Sequence, residues 1–274
     1  MKQANREKLI AHSIFIFGCI LVLYPFFSIL FLALSEPGTR VSGFTIPTGI
    51  YFDNFIKAWS GGNFSSGLYS SFVVVIGVVS ITILCSVPAA YAFEKLDIFG
   101  TTPLFAILLL GLVLPYESLI ISLYYLMRDF GLDGTYWSLI LPQIGLSIPF
   151  SIFWLRSSFK TIPISLSEAA MLEGAGRIVI LIKILLPQIK PAILTLTVLL
   201  FMWTWNEFLL ALVMIQDADM RTAPLALSYF AGNKRYGDPA ITAAAAICVA
   251  LPVLIVYVFL QRRFISGMVT GVDK

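Results

Sequence analysis

Histidine and cysteine are nearly missing from this chain, and that removes whole classes of chemistry. His12 is the only histidine, and the three cysteines, Cys19, Cys85 and Cys248, follow no metal or redox spacing. One histidine without partners builds neither a metal cluster nor a nucleophilic triad. Each cysteine falls in an apolar run, where a thiol behaves as a small hydrophobe. No Gly-x-x-x-x-Gly-Lys-Ser/Thr loop occurs, so the chain has no recognisable means of cradling nucleotide phosphates. Charge is sparse as well, with 12% charged residues against 59% hydrophobic ones. The net charge of +3 comes without a basic patch interleaved with aromatics, so nucleic acid is not an expected partner. With no nucleophile, base or metal constellation, neither an enzymatic activity nor a cofactor bound by this chain is expected.

Long apolar runs are what the sequence has instead. Crossing roughly 30 Å of hydrocarbon takes about 20 apolar residues in helical form, because every backbone polar group must be satisfied within the segment. Six segments qualify, near residues 9–34, 68–93, 103–127, 136–155, 191–215 and 239–260. The expected fold is therefore an all-α membrane protein with six transmembrane helices, in one domain over residues 1–274 embedded in a lipid bilayer. Lys2, Arg6 and Lys8 precede the first run, and Ala33-Leu34-Ser35 imitates a signal-peptide cleavage site. The apolar run is longer than the 7 to 15 residues of a signal peptide, so it reads as an uncleaved anchor. Orientation follows the basic residues. With the N-terminus inside, Lys2, Arg6, Lys8, Lys95, Arg156, Lys160, Arg177, Lys183, Lys190, Arg262, Arg263 and Lys274 fall on the inner side. Arg40, Lys57, Arg128, Arg221, Lys234 and Arg235 fall outside, which favours both termini in the cytoplasm.

The longest inner segment, residues 156–190, contains "SEAAMLEGAGRIVILIKILLP". Its apolar part, 178–186, is too short to span a bilayer. Pro163 followed by Ser165 and Glu168 predicts a helix start, with Ser165 capping the third amide and Glu168 reaching back to the cap. Gly174 supplies the left-handed residue that closes such a helix. A second helix is expected from Gly176 or Arg177 to a stop before Pro187. Leu166, Ala169, Ala170 and Glu173 are expected on one side by three-and-four spacing. Without the spacing that follows, the segment also fits an amphipathic helix lying on the membrane surface.

Glu168-Ala169-Ala170, Gly174 six residues after the glutamate, and Ile184, Leu186 and Pro187 closing the block resemble the EAA loop of binding-protein-dependent ABC importer permeases. Glu173 stands where that family usually has aspartate, and Gly176 where serine is frequent. Three further stretches resemble the carbohydrate, maltose-type branch: Pro88-Ala89-Ala90-Tyr91-Ala92-Phe93, "WNEF" at 205–208, and "QRRFISGMVTGVDK" at the C-terminal end. The resemblance implies a permease subunit of a bacterial or archaeal inner membrane. It further implies a second homologous permease, a cytoplasmic ATPase dimer that consumes the ATP, and an extracytoplasmic sugar-binding protein. It makes the helix carrying Ser165, Glu168, Ala169, Ala170, Glu173 and Gly174 the coupling helix against the ATPase. The substrate implied is a sugar or oligosaccharide, with a non-sugar solute as the alternative within the family.

Two carboxylates fall within predicted spans, Glu117 midway along the third and Glu207 in the outer half of the fifth. An ionisable group in hydrocarbon costs about 2.5 kcal/mol or more unless it faces a cavity or a partner, so both are expected to point inward. Trp203, Asn206, Glu207 and Leu210 share a face at helical spacing, offering an indole plane and hydrogen-bonding groups suited to a sugar. An inter-helix hydrogen bond or a contact to the partner subunit accounts for the same residues. Trp203, Trp205 and Tyr257 equally fit interfacial aromatics, and Pro88 and Pro115 fit kinks. The polar segment 216–238 is an outer loop, either simply solvated or, by the resemblance, directed at the binding protein. Outside the family, Glu117 and Glu207 would serve an ion-coupled secondary transporter, which would work alone and carry matched repeats that are not evident here.

Overall fold

The computed structural model describes residues 2–39, 43–44, 46–233 and 237–269. Arg40, Lys234, Arg235 and Lys274 of the charge tally, and residues 270–274 of the C-terminal resemblance, lie outside them. Among the described residues every regular element is helical. In chain order these are α1 (Lys2–Ala33), α2 (Asp53–Gly61), α3 (Phe64–Lys95), α4 (Thr101–Leu110), a 3-10 turn (Tyr116–Leu119), α5 (Ile120–Asp129), α6 (Trp137–Lys160) and α7 (Ile164–Leu172). Then follow α8 (Arg177–Val179), a π-helical stretch (Ile180–Leu185), α9 (Leu186–Trp205), α10 (Leu209–Met214), a 3-10 turn (Ala218–Met220), α11 (Ala223–Gly232) and α12 (Pro239–Val269).

Among the described residues five helical stretches are long and apolar enough to cross a membrane: Glu7–Ala33, Phe64–Lys95, Trp137–Lys160, Arg177–Trp205 and Pro239–Phe259. The protein is thus an all-α membrane protein. The expected continuous third span is corrected, because residues 103–127 form α4, a break and α5. Pro115 explains the break: it lacks an amide hydrogen, sits extended at φ −67° and ψ 112°, and disfavours helix at Leu114 before it. The fifth span is corrected too, since α9 ends at Trp205 and α10 starts at Leu209.

A third correction concerns Pro187, where a helix stop was expected. The helix starts at Arg177 as expected but continues through Pro187 to Trp205. In the π-helical stretch the Leu186 amide bonds the Leu181 carbonyl, five residues back. The ladder is therefore one residue out of step where it meets Pro187, which has no amide hydrogen to place. The segment 216–238 is likewise not a plain polar loop, because it holds a 3-10 turn and α11.

By internal contacts the chain forms two units, Met1–Ser65 with Ala226–Leu251 and Ser66–Leu225 with Pro252–Lys274. In the first, buried Asn54 finishes α1: its amide donates to the carbonyls of Ala33 at 2.9 Å and Ser35 at 2.8 Å, groups a helix end leaves unpaired. Asp238 starts α12 in the same way, accepting from the Ala240 amide at 2.8 Å. Phe64 and Phe230 pack with ring centroids 5.7 Å apart.

The second unit holds two apolar clusters along α6. One gathers Ile140, Ile144, Val74, Val78, Leu210 and Met214. The other gathers Ile152, Leu155, Phe159, Tyr91, Ala170, Ile180 and Leu196. Close approach of α3 to α6 depends on Gly77, where a Cβ would come within 2.8 Å of the Ile140 side chain. Small residues serve this purpose between membrane helices, where van der Waals packing must replace the hydrophobic effect.

Candidate binding cavity and docking helix

The two helix breaks meet in the second unit. Tyr116, at the end of the first break, donates from its hydroxyl to Glu207, in the second, at 3.1 Å to Oε2 and 3.3 Å to Oε1. Glu207 Oε1 also accepts the Leu210 amide at 2.7 Å, so this carboxylate starts α10. Asn206 closes α9 by donating its side-chain amide to the Met202 carbonyl at 2.8 Å. The polar pair at 206–207 therefore stops one helix and restarts the next without a proline. Helices broken at depth in a membrane are tolerated only where the loosened backbone lines protein or a cavity.

Such a cavity is present, about 550 Å³ in volume. Its wall comprises Gly111, Leu112 and Leu114 from the first break with Tyr116, Gln143, Leu146 and Ser147 from α6, and Leu199, Met202, Trp203, Thr204, Asn206 and Glu207 from the second break and the helix before it. This is the size and mostly apolar character of a small-molecule site with a few convergent polar groups. The Trp203 indole, 49% exposed, is held edge-on by Phe150 at 4.9 Å. Gln143 is 8% exposed, and among the described residues its side chain has no hydrogen-bond partner.

Trp203, Asn206 and Glu207 all line the cavity. Leu210, expected on the same face, is a correction: it is fully buried in the core, because the break rotates α10 out of register with α9. Glu117 is a correction as well: it is exposed on the 3-10 turn and does not line the cavity, while its neighbour Tyr116 does. Tyr116 and Gln143 escaped the sequence reading. Pro115 was the available signal for Tyr116, as a break exposes the residue after it; Gln143 sits next to Pro142 in an apolar run, and its being a lone amide there was the signal.

The candidate docking helix is α7. Its stop is a Schellman motif, in which the Ala175 amide bonds the Ala170 carbonyl at 2.9 Å and the Gly174 amide bonds the Met171 carbonyl at 3.0 Å. Gly174 takes φ +86° to make it, as the sequence suggested. The start is corrected. Pro163, extended, occupies the cap position without a side-chain bond, the helix opens at Ile164, and Ser165 sits inside it, exposed. The expected shared face of Leu166, Ala169, Ala170 and Glu173 is also corrected, since Ala170 is buried and the other three are exposed. Ser167 and Ala170, three apart, form the inward side, and Ala170 joins the core with Ile180 and Leu185. The outward side carries Glu168 and Ala169 together with exposed Ile164, Met171 and Leu172, the last 91% exposed.

Membrane-length helices, a cavity at two helix breaks and a separate exposed helix define a membrane transport subunit. The chain belongs to the family described as "Binding-protein-dependent transport system inner membrane component", whose model matches residues 83–269. It is a transport component and not an enzyme. It is similar to the trehalose transport system permease protein SugB of Mycobacterium tuberculosis, with 32% identity over 92% of each chain. It is also similar to the sulfoquinovosyl glycerol transport system permease protein SmoH of Agrobacterium fabrum, with 33% identity over 91% of this chain and 88% of that one. Its fold matches a chain in the crystal structure of a bacterial ABC transporter that imports the acidic polysaccharide alginate, with a TM-score of 0.81, 23% identity and coverage of 95% of this chain and 98% of that one.

Proposed function

We propose that this chain is one of two permease subunits of an ATP-driven importer that carries a sugar or oligosaccharide from an extracytoplasmic binding protein across the bacterial or archaeal inner membrane. The companion chains are a second, homologous permease and a cytoplasmic ATPase dimer, and the ATP is bound by that dimer. Residues 1–274 act as one permease domain with six crossings, the third made by the broken α4–α5 pair, and with both termini in the cytoplasm. The distribution of basic residues supports that orientation.

The observation that carries this reading is α7. Exposed large apolar side chains, Ile164, Met171 and Leu172, stand on a short helix with a rigid stop, outside any membrane-length helix. Such a patch marks a protein interaction site. Glu168, Ala169, Glu173 and Gly174 accompany it as the coupling surface, Ala170 anchors it, Ser165 lies on its exposed side, and Pro187 belongs to the helix that receives its movement. ATP-driven closure of the ATPase dimer moves α7, and the helices packed on Ala170 carry that motion towards the cavity lined by Trp203, Asn206 and Glu207. Glu117, exposed, is assigned to a contact with the companion permease.

The test is purification of the tagged chain from its native membrane in mild detergent, followed by reconstitution with the proteins that accompany it. ATP-dependent saccharide accumulation that needs both an ATPase and a binding protein is expected. Accumulation by the chain alone, driven by a proton or sodium gradient, would overturn the proposal.

A further inference from the structure

We infer that the cavity selects uncharged saccharides over acidic ones, and that Gln143 is the side chain that reads the substrate's hydroxyls. The inference rests on the importer reading above and adds the substrate's charge class. Its first support is the inventory of the wall. Among the thirteen lining residues, all of them described, none is lysine, arginine or histidine, and one, Glu207, is a carboxylate. Recognition of carboxylate or sulfonate groups relies on Arg or Lys donors, and a buried anion left beside another anion is strongly disfavoured. An acidic saccharide would meet Glu207 with no cation in this wall to offset it.

The second support is Gln143. A side-chain amide has two donor hydrogens and a carbonyl acceptor, so it can bond more than one ligand hydroxyl at once. Gln143 lines the cavity at 8% exposure and has no partner among the described residues. Of the other polar side chains in the wall, Glu207 is engaged with Tyr116 and Leu210 and Asn206 with Met202, while Ser147 and Thr204 add one hydroxyl each. Gln143 is thus the amide in this wall free to both donate to and accept from a ligand, and a hydroxyl, which also does both, matches it. Trp203 offers the plane on which the apolar face of a pyranose ring stacks. An amide beside an indole, without a cation, describes a site for a neutral sugar ring.

The experiment uses the intact complex with its binding protein in proteoliposomes, loaded in turn with radiolabelled trehalose, maltose and diacetylchitobiose as neutral probes and digalacturonate as the acidic one. ATP-dependent uptake of at least one neutral disaccharide is expected, with digalacturonate below one-tenth of its rate. Gln143→Leu, at equal complex assembly by size-exclusion chromatography, should lower the maximal rate for the neutral sugar about fivefold or more, as the loss of a hydrogen-bonded pair implies. Gln143→Asn should recover part of it. The half-saturating concentration of binding protein should stay unchanged, because the change lies downstream of delivery. Digalacturonate carried as fast as the neutral sugars would overturn the charge selection, and a wild-type rate for Gln143→Leu would overturn the role of Gln143. Absence of any ATP-dependent saccharide uptake would overturn the importer reading itself, and this inference with it.

Discussion

Arg156 donates from Nε to Glu94 Oε2 at 2.8 Å and lays its guanidinium 4.1 Å above the Phe105 ring. One side chain on α6 thereby ties the end of α3 to the middle of α4. The neighbouring Lys95 donates to the Ile162 carbonyl, in the turn that leads into α7. The end of α3 therefore holds both α6 and the entry to α7.

Breaking this tie should loosen α7 without emptying the cavity. Glu94→Gln should cost about 1 kcal/mol of stability, as for an ion pair only partly withdrawn from water. Saccharide-stimulated ATPase activity of the reconstituted complex should fall more than substrate binding. Exchanging the charges, with Glu94→Arg and Arg156→Glu together, should restore part of the stimulation. It should not restore all of it, since the contact with Phe105 is lost. Equal stimulation in Glu94→Gln and wild type would refute the tie.

Gly174→Val forces a branched side chain into φ +86°, a conformation that only glycine adopts cheaply. No heavy atom lies within 4 Å of the added Cβ, so the cost is conformational, on the order of 1 kcal/mol or more. Uptake and ATPase stimulation should fall together while membrane insertion persists. A well-expressed variant with normal stimulation would remove α7 from the coupling path.

Glu207 accepts from the Tyr116 hydroxyl and the Leu210 amide. Glu207→Gln keeps an acceptor oxygen for these donors and should retain much of the transport. Glu207→Leu leaves both donors unpaired and removes the start of α10, a loss of about 1 kcal/mol or more. Initial uptake rates at equal surface expression should therefore order wild type, Gln, Leu. Trp203→Ala should slow uptake by removing the stacking plane. An ion-coupled carrier gives another pattern, with the Gln form abolishing gradient-driven uptake.

Pro187 lies within a continuous helix, so it is not a stop. Pro187→Ala should leave helicity by circular dichroism unchanged and raise or preserve thermal stability. Gly77→Val should do the reverse, because its side chain would collide with Ile140 in a packed core, at a cost of about 1–3 kcal/mol. Unfolding temperatures in detergent separate the two.

The sequence by itself determined that the chain is helical and membrane-bound, because a backbone in hydrocarbon has no other way to satisfy its amides, and long apolar runs cannot hide that requirement. It also determined the end of α7, since a left-handed residue after a short helix asks for Gly174 and the motif is complete within six residues. Local rules were sufficient there because the bonds themselves are local. The positions of Tyr116, Gln143 and Glu207 around one cavity were decided by tertiary structure. Hydropathy averages over a window and reads straight through Pro115 and the Asn206-Glu207 pair, whereas each break depends on a few hydrogen bonds. Whether a carboxylate faces a cavity, as Glu207 does, or lies exposed, as Glu117 does, depends on the rotation imposed by those breaks and on the neighbouring helix that receives it. That information resides in the packing of α6 against α9, which brings together residues as distant in the chain as Phe150 and Trp203.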